Sequence, residues 1–338
     1  MLIAPFVGLA DRTRVKRAAQ AAVGIVVAGL LVLVTWLWVD RQLSQRALAR
    51  HMERGKAYAA RMLEEVGVVP DALRESSGLA VSRTQPGVFW SHNDSGDRPN
   101  LYAIDQSGRL LATIRIMGAV NRDWEDMALG PCPANVAAPM TPCLYLADTG
   151  DNNRAREDVT VFVLVEPVLA TGAPPLTAAS QSFRYRYPRE PEDSEAFAVL
   201  PNGDVTVVTK GLTGTIDFFG FSAVEVARAL TSREVLTARY QGNSGIEPDQ
   251  RIGRYVTGAA VSPDGMTLAV RTYNEVFFFG ATEVGPGRRG WRDLRRPCFL
   301  DDAEPQGEAI DYLDAETLLL TSERARGRPG TIHRLRCG

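Results

Sequence analysis

The sequence predicts an all-β protein of the β-propeller class, carried on an N-terminal transmembrane helix and a helical stalk. Three observations lead there. Five short apolar strands open with an oxygen-bearing side chain: Ser77-Gly78-Leu79-Ala80, Glu125-Asp126-Met127-Ala128, Glu195-Ala196-Phe197-Ala198, Thr257-Gly258-Ala259-Ala260 and Glu308-Ala309-Ile310-Asp311. Two residues before each opening stand Glu75, Asp123, Asp193, Tyr255 and Gln306. After each opening, apolar runs of strand length alternate with Gly, Pro, Asn and Asp, as an antiparallel meander requires. A supersecondary unit repeated at this period, with four strands per unit, closes into a ring of blades. Five blades are counted, with six as the alternative.

Ahead of the repeats, Ala18 to Val39 is apolar but for Gln20 and Thr35, long enough to span a bilayer, with Trp36 and Trp38 at an interfacial position. A cleaved signal peptide is the competing reading, and no small-x-small site closely follows the run. Residues 1–17 then form a cytoplasmic tail, 18–39 the span, 40–66 a helical stalk rich in Ala, Leu, Arg and Glu, and 67–338 the propeller domain. Basic residues flank the span on both sides, so charge alone does not orient it. The cysteines do. Cys132 and Cys143 bracket a Pro-rich excursion, and Cys298 and Cys337 end two strand-like runs. Two such disulfides imply an oxidising compartment, against the alternative of four buried thiols. The expected topology is single-pass in the cell membrane, N-terminus cytoplasmic and propeller periplasmic or extracellular.

Nine of the 38 Lys/Arg and three of the 40 Asp/Glu lie within residues 1–60, which leaves the remainder at a net charge of −8. An acidic body repels phosphate backbones, and nucleic acid is excluded as a partner.

The units follow in order. The first comprises 77–82, 88–92, 101–105 and 110–116; the second 125–129, 144–147, 159–165 and 181–187. The third comprises 195–200, 204–209, 215–221 and 235–240, with a short helix at 223–230. The fourth comprises 258–262, 267–272, 275–280 and 296–300; the fifth 308–313, 317–321 and 331–336. Pro201-Asn202-Gly203-Asp204 and Pro263-Asp264-Gly265-Met266 are hairpin turns at matching places. The fifth unit lacks an outer strand, and residues 65–69, just before the first unit, are expected to supply it and close the ring.

In a four-stranded meander the start of the first strand and the end of the second share one end of the blade. Glu125, Glu195 and Glu308, with Ser77 and Thr257, are therefore expected at one channel mouth. The second-strand ends ring it: His92, Asn93, Asp94 and Asp97; Asp148, Asp151 and Asn152; Lys210; Arg271; Glu323. Two carboxylates about 6 Å apart repel by roughly 3 kcal/mol at an effective dielectric near 20, so such a ring needs a cation, protons, or Lys210 and Arg271. Oxygen donors favour Ca²⁺ or Mg²⁺ over zinc. Glu125, Glu195 and Glu308 are the candidate metal ligands, and Asp94, Asp148, Lys210 and Arg271 the candidate catalytic groups. His92, Asn93, Asp97, Asp151, Asn152 and Glu323 are the candidate ligand contacts. The alternative is structural: acids that cap strands and bond across blades. Trp90 and Trp124 suit either ring stacking or blade core. The segment from Asp148 is no EF-hand, lacking its Gly and closing Glu, and no Gly-rich phosphate loop or nucleophile elbow is present.

The runs Glu75–Ala80, Phe89–Asp97, Asp123–Ala128 and Asp148–Asn152 resemble a group of poorly characterised bacterial exported or membrane-anchored β-propellers, distantly similar to phytase-like and NHL-like propellers. The resemblance covers about residues 72–336 and is specific in the first two units. Some phytase-like relatives hold Ca²⁺ in the channel and hydrolyse phosphoesters, so the resemblance implies a Ca²⁺ site. The residues lead to an anchored propeller that binds a small-molecule or protein ligand through an acidic face. The alternative is a metal-dependent hydrolase of phosphoester or lactone type, in which Asp94 or Asp148 orients water.

Overall fold

The computed structural model describes residues 10–55, 61–138, 140–169, 176–285, 288–300 and 303–338. Residues 1–9 of the expected tail and 56–60 of the expected stalk lie outside the described residues. Two compact units result, an N-terminal helix and a β-sheet body. The helix runs Ala10–Gly55 and carries a stretch long and apolar enough to cross a membrane.

The body contains five antiparallel-cored sheets, the blades of a propeller. Blade I comprises Ser76–Val81, Phe89–Asn93, Asn100–Ile104 and Leu110–Met117; blade II comprises Trp124–Pro131, Pro142–Asp148, Val159–Val165 and Gln181–Arg186. Blade III comprises Ser194–Val199, Val205–Thr209, Asp217–Phe221 and Arg239–Asn243; blade IV comprises Val256–Val261, Thr267–Thr272, Glu275–Gly285 and Arg288–Phe299. Blade V comprises Gln306–Tyr312, Thr317–Glu323, Thr331–Cys337 and, from the far end of the chain, Arg61–Val68. The closing strand pairs antiparallel with Thr331–Cys337, from Arg61 opposite Cys337 to Val68 opposite Thr331. It begins earlier than residue 65, and residues 61–66, expected in the helical stalk, belong instead to this strand.

Alternation along each strand explains why the blades read as nearly continuous apolar runs. Successive side chains point to opposite faces, and both faces are covered by neighbouring blades. In Pro142–Asp148, Leu144 and Leu146 enter the core shared with blade I, while Tyr145 and Ala147 enter the core shared with blade III. Five such cores lie between successive blades, the last joining blades V and I. Each fully buried Leu or Phe in them contributes roughly 2 kcal/mol.

The expected hairpins form, with Gly203 and Gly265 at φ of 84° and 74°. The helix Ala223–Ser232 is fixed by a capping box between Ser222 and Glu225, and buries Val226, Ala229 and Leu230. One expected strand divides in two. Val235–Thr237 pairs parallel with the outer strand of blade II, and Arg239–Asn243 is the fourth strand of blade III. Thr177–Ala179 likewise lines the outer edge of blade I. Linker segments thus cover edges that would otherwise expose unpaired backbone groups. Both expected disulfides are present, Cys132–Cys143 within blade II and Cys298–Cys337 between blades IV and V.

Candidate functional site

One local device repeats in all five blades. The innermost strand slips register against the second strand between Ser76 and Gly78, Trp124 and Asp126, Ser194 and Ala196, Val256 and Gly258, and Gly307 and Ala309. The skipped residues are Ser77, Glu125, Glu195, Thr257 and Glu308, the five strand openings. A bulge drops one residue out of the ladder and re-aims its side chain. All five are buried, at 1–5% exposed.

The bulges bring carboxylates together. Ligand-capable oxygens of Glu125, Asp193 and Glu195 lie within 4.8 Å of one another, and so do those of Asp94, Asp123 and Glu125. Glu125 belongs to both groups. Gly150 makes room for it, since a Cβ there would collide with Glu125 Oε1 and Asp123 Oδ2. Lys210 Nζ forms an ion pair with Glu195, sits 3.5 Å from Asp193 Oδ2 and donates to Asn152 Oδ1 at 3.2 Å. Asp193 accepts Asp151 N–H on Oδ1 at 2.7 Å, while its buried Oδ2 has no hydrogen-bond donor. Among the described residues, Thr257 Oγ1 is also buried without a hydrogen-bond partner. Glu308 does not join these groups directly. Gln306 Nε2 links it to Glu323, donating to the two carboxylates at 2.8 and 2.7 Å.

Burial and mutual repulsion raise the proton affinity of this mouth. Burial, then the charges of Asp193 and Asp94, push Glu195 up to about 8 against the pull of Lys210. Burial and then Glu195 raise both Glu125 and Glu308. Burial opposes the charge on Lys210, yet Glu195 and Asp193 hold it above the ordinary lysine range.

The other expected residues have structural engagements. His92 is fully buried, its Nε2 against Gly78, and burial lowers it to about 4. Asn93 spans Ala72 O, Asp97 and the Glu75 N–H, and Asp97 in turn accepts from Tyr102. Asp148 pairs with Arg156 at 3.0 Å, and Asp151 accepts the Ala155 and Arg156 amides. Arg271 is fully buried, donating to Ala309 O and Thr321 O and paired with Glu304. Trp90 and Trp124 lie in the core between blades I and II.

Asp126 escaped the sequence reading. Its Oδ2 accepts Phe197 N–H at 2.8 Å and Ala259 N–H at 3.1 Å, and its Oδ1 accepts Met127 N–H. One carboxyl group thereby ties three inner strands together. The available signal was an acid in a column otherwise holding Gly78, Ala196, Gly258 and Ala309.

A pH profile follows from Glu323, at the mouth beside the two carboxylate triads, and from two buried histidines. Burial, then Asp94 and Glu75, raise Glu323 to about 8, so its contribution is complete below about 4.5 and is lost as pH climbs through 8. His92 and His333 are lowered to about 4, so theirs is complete above about 6.5 and is lost as pH falls toward 4. In chelator, the melting temperature is expected to peak between about pH 4.5 and 6.5 and to fall by roughly 5 °C or more by pH 8.5. A profile that rises from pH 6 to 8.5 contradicts these assignments.

Fold and site together define a five-bladed β-propeller with an acid-lined channel mouth. No family model matches the chain, and no curated protein matches it. Similar solved structures include the PQQ-bound aldose sugar dehydrogenase of Streptomyces coelicolor, at 10% identity and a TM-score of 0.49, covering 83% of this chain and 99% of that one. A luciferin-regenerating enzyme follows at 9% identity and a TM-score of 0.43, covering 82% and 95%. A chain of the nidogen/laminin complex matches at 10% identity and a TM-score of 0.38, covering 78% and 84%.

Proposed function

We propose that the channel mouth is a divalent-cation site, best suited to Ca²⁺, through which an anchored, extracytoplasmic propeller holds a small-molecule or protein ligand. The carrying observation is the Glu125–Asp193–Glu195 group, whose oxygens lie within 4.8 Å of one another, with Asp193 Oδ2 buried and, among the described residues, held only by the Lys210 ion pair at 3.5 Å. Ca²⁺ binds oxygen ligands at roughly 2.3–2.6 Å, so its ligands lie up to about 5 Å apart. Lys210 is the internal counter-ion with which an entering cation competes. The apolar run 18–39 and the two disulfides support anchoring with the body in an oxidising compartment.

The test is Ca²⁺ titration of the full chain, chelator-stripped and held in phosphatidylcholine nanodiscs, followed by thermal melting. Saturation to about 100 times the dissociation constant stabilises by roughly 2.7 kcal/mol, or about 5–10 °C here. Glu195→Gln is expected to abolish the shift, and Lys210→Met to move the titration to lower Ca²⁺. A melt unmoved by Ca²⁺ and by Mg²⁺ removes the proposal.

The shared Glu125 favours one second reading. A carboxylate common to two acidic groups is what a two-cation hydrolase of phosphoester or lactone type uses, with Asp94, a member of the second group, as the residue that orients water. Turnover of such esters that needs both the cation and Asp94 would select this reading.

A further inference from the structure

Blade II carries a groove of opposite electrostatic sign to the mouth. Its volume is about 740 Å³, and four arginines line it: Arg122, Arg156, Arg184 and Arg233. Two carboxylates share the lining. Asp148 pairs with Arg156 at 3.0 Å and Asp158 with Arg184 at 3.1 Å. Among the described residues neither Arg122 nor Arg233 has an ion pair, and both are exposed. The groove therefore keeps a surplus of two positive charges on a body whose net charge is −8.

The arginines are held by the backbone. Arg233 stands at the left-handed C-cap of helix Ala223–Ser232, with φ of 61°. Arg184 lies opposite Thr160, which lies opposite Asp148, so one transverse row of blade II sets three of the groove's polar groups. The Arg156 side chain is 7% exposed; it donates to Asp148 and Gly150 O through one nitrogen, while its buried Nε has no hydrogen-bond partner among the described residues. Three of the guanidiniums in this one groove, two of them without an ion pair among the described residues, together form a donor set for a tetrahedral dianion. Guanidinium forks match phosphate oxygens in geometry and remain charged at any physiological pH. Phe162 and Phe183 add an apolar wall, which suits an organic body attached to the anion.

We propose that this groove binds an organic phosphomonoester, its dianionic phosphate held by Arg122, Arg156 and Arg233. None of the three arginines belongs to the acidic groups at the mouth, but Asp148 Oδ1 accepts from both Arg156 and the Asp123 amide, so the groove is tested with the mouth kept free of cation.

The probe is phenyl phosphate, titrated calorimetrically into the full chain in phosphatidylcholine nanodiscs with EDTA present, so that the mouth reading and this one fail separately. Saturable binding is expected, weakened at least about tenfold in the Arg122→Gln/Arg233→Gln double variant and unchanged in Arg336→Gln, an exposed arginine of blade V. Both replaced residues are exposed, so the double variant should fold, and its melt checks this. Phenyl sulfate, a monoanion, is expected to bind several-fold more weakly. Phenyl phosphate itself should lose affinity below about pH 6, where its second proton returns. Absent binding, equal affinity for phenol, or full retention in the double variant overturns the proposal. Flotation with phosphatidic-acid vesicles that the double variant abolishes, without any response to phenyl phosphate, reassigns the phosphate to a lipid headgroup and overturns the soluble ligand.

Discussion

Replacing Arg271 by methionine is expected to destabilise the propeller by about 3–5 kcal/mol, the usual cost of stripping one partner from a buried ion pair. The Arg271 guanidinium is fully buried and donates to Ala309 O at 2.6 Å and Thr321 O at 3.0 Å, while pairing with Glu304, whose side chain is 3% exposed. Gly307 makes the space, since a Cβ there would collide with the guanidinium. Arg271 therefore ties blade IV to blade V through two backbone carbonyls and one carboxylate. Burial raises Glu304 while Arg271 lowers it, so the variant leaves a carboxyl that must take up a proton or remain charged without its partner. His333 Nδ1, 3.7 Å from Glu304 Oε1, is a poor substitute because burial and then Arg328 still favour the neutral imidazole once Arg271 is gone. The double variant Arg271→Met/Glu304→Leu is expected to recover most of the loss, because no lone charge remains. Urea denaturation measures both. A single variant within about 1 kcal/mol of the parent would mean that the pair does not hold the blades.

The contrast between Arg271 and Lys210 shows what the sequence could convey. Both lie near the ends of second strands, so repeat logic put both at the channel mouth. The register instead matches Thr209 with Thr272, so Lys210 corresponds to Tyr273 and Arg271 to Val208, two residues short of the mouth. Lys210 does face Glu195 and Asp193, but Arg271 turns between blades toward Glu304. Strand topology was legible because alternation and turn chemistry are local. Register to the residue was not, because a two-residue offset along a strand decides whether a cation reaches the mouth, and strand pairing sets that offset. The five openings were legible as a column, yet their common cause, a bulge in each inner strand, is a register slip with no residue signature of its own. Asp126 was hidden for a related reason. Its partners are backbone N–H groups of Phe197 and Ala259, and main-chain donors leave no mark in a sequence. The division of 235–240 between two blades was equally invisible, since an apolar run does not say which edge it will cover.

Ring closure sets the other large effect. A chain starting at Val69 loses Arg61–Val68, and with it the whole antiparallel ladder on Thr331–Cys337. Leu63 leaves the core between blades IV and V, and Val66 leaves the core between blades V and I. The exposed edge of blade V then invites pairing with other molecules. Part of the lost interaction is offset by eight fewer ordered residues, so a net loss on the order of 5 kcal/mol is expected. That is a large share of the 5–15 kcal/mol typical of a folded domain. The truncated chain should aggregate or lose its cooperative melt. The same ladder predicts the remedy. Arg61 lies opposite Cys337, so a short hairpin can join the C-terminus to residue 61, with new termini opened at the exposed Arg189-Glu190 turn. This circular permutant is expected to melt cooperatively as a monomer although nothing precedes residue 61. If it aggregates while the Val69 chain melts like the parent, the strand does not latch the ring, and the mouth carboxylates gathered by the five inner strands owe their positions to something else.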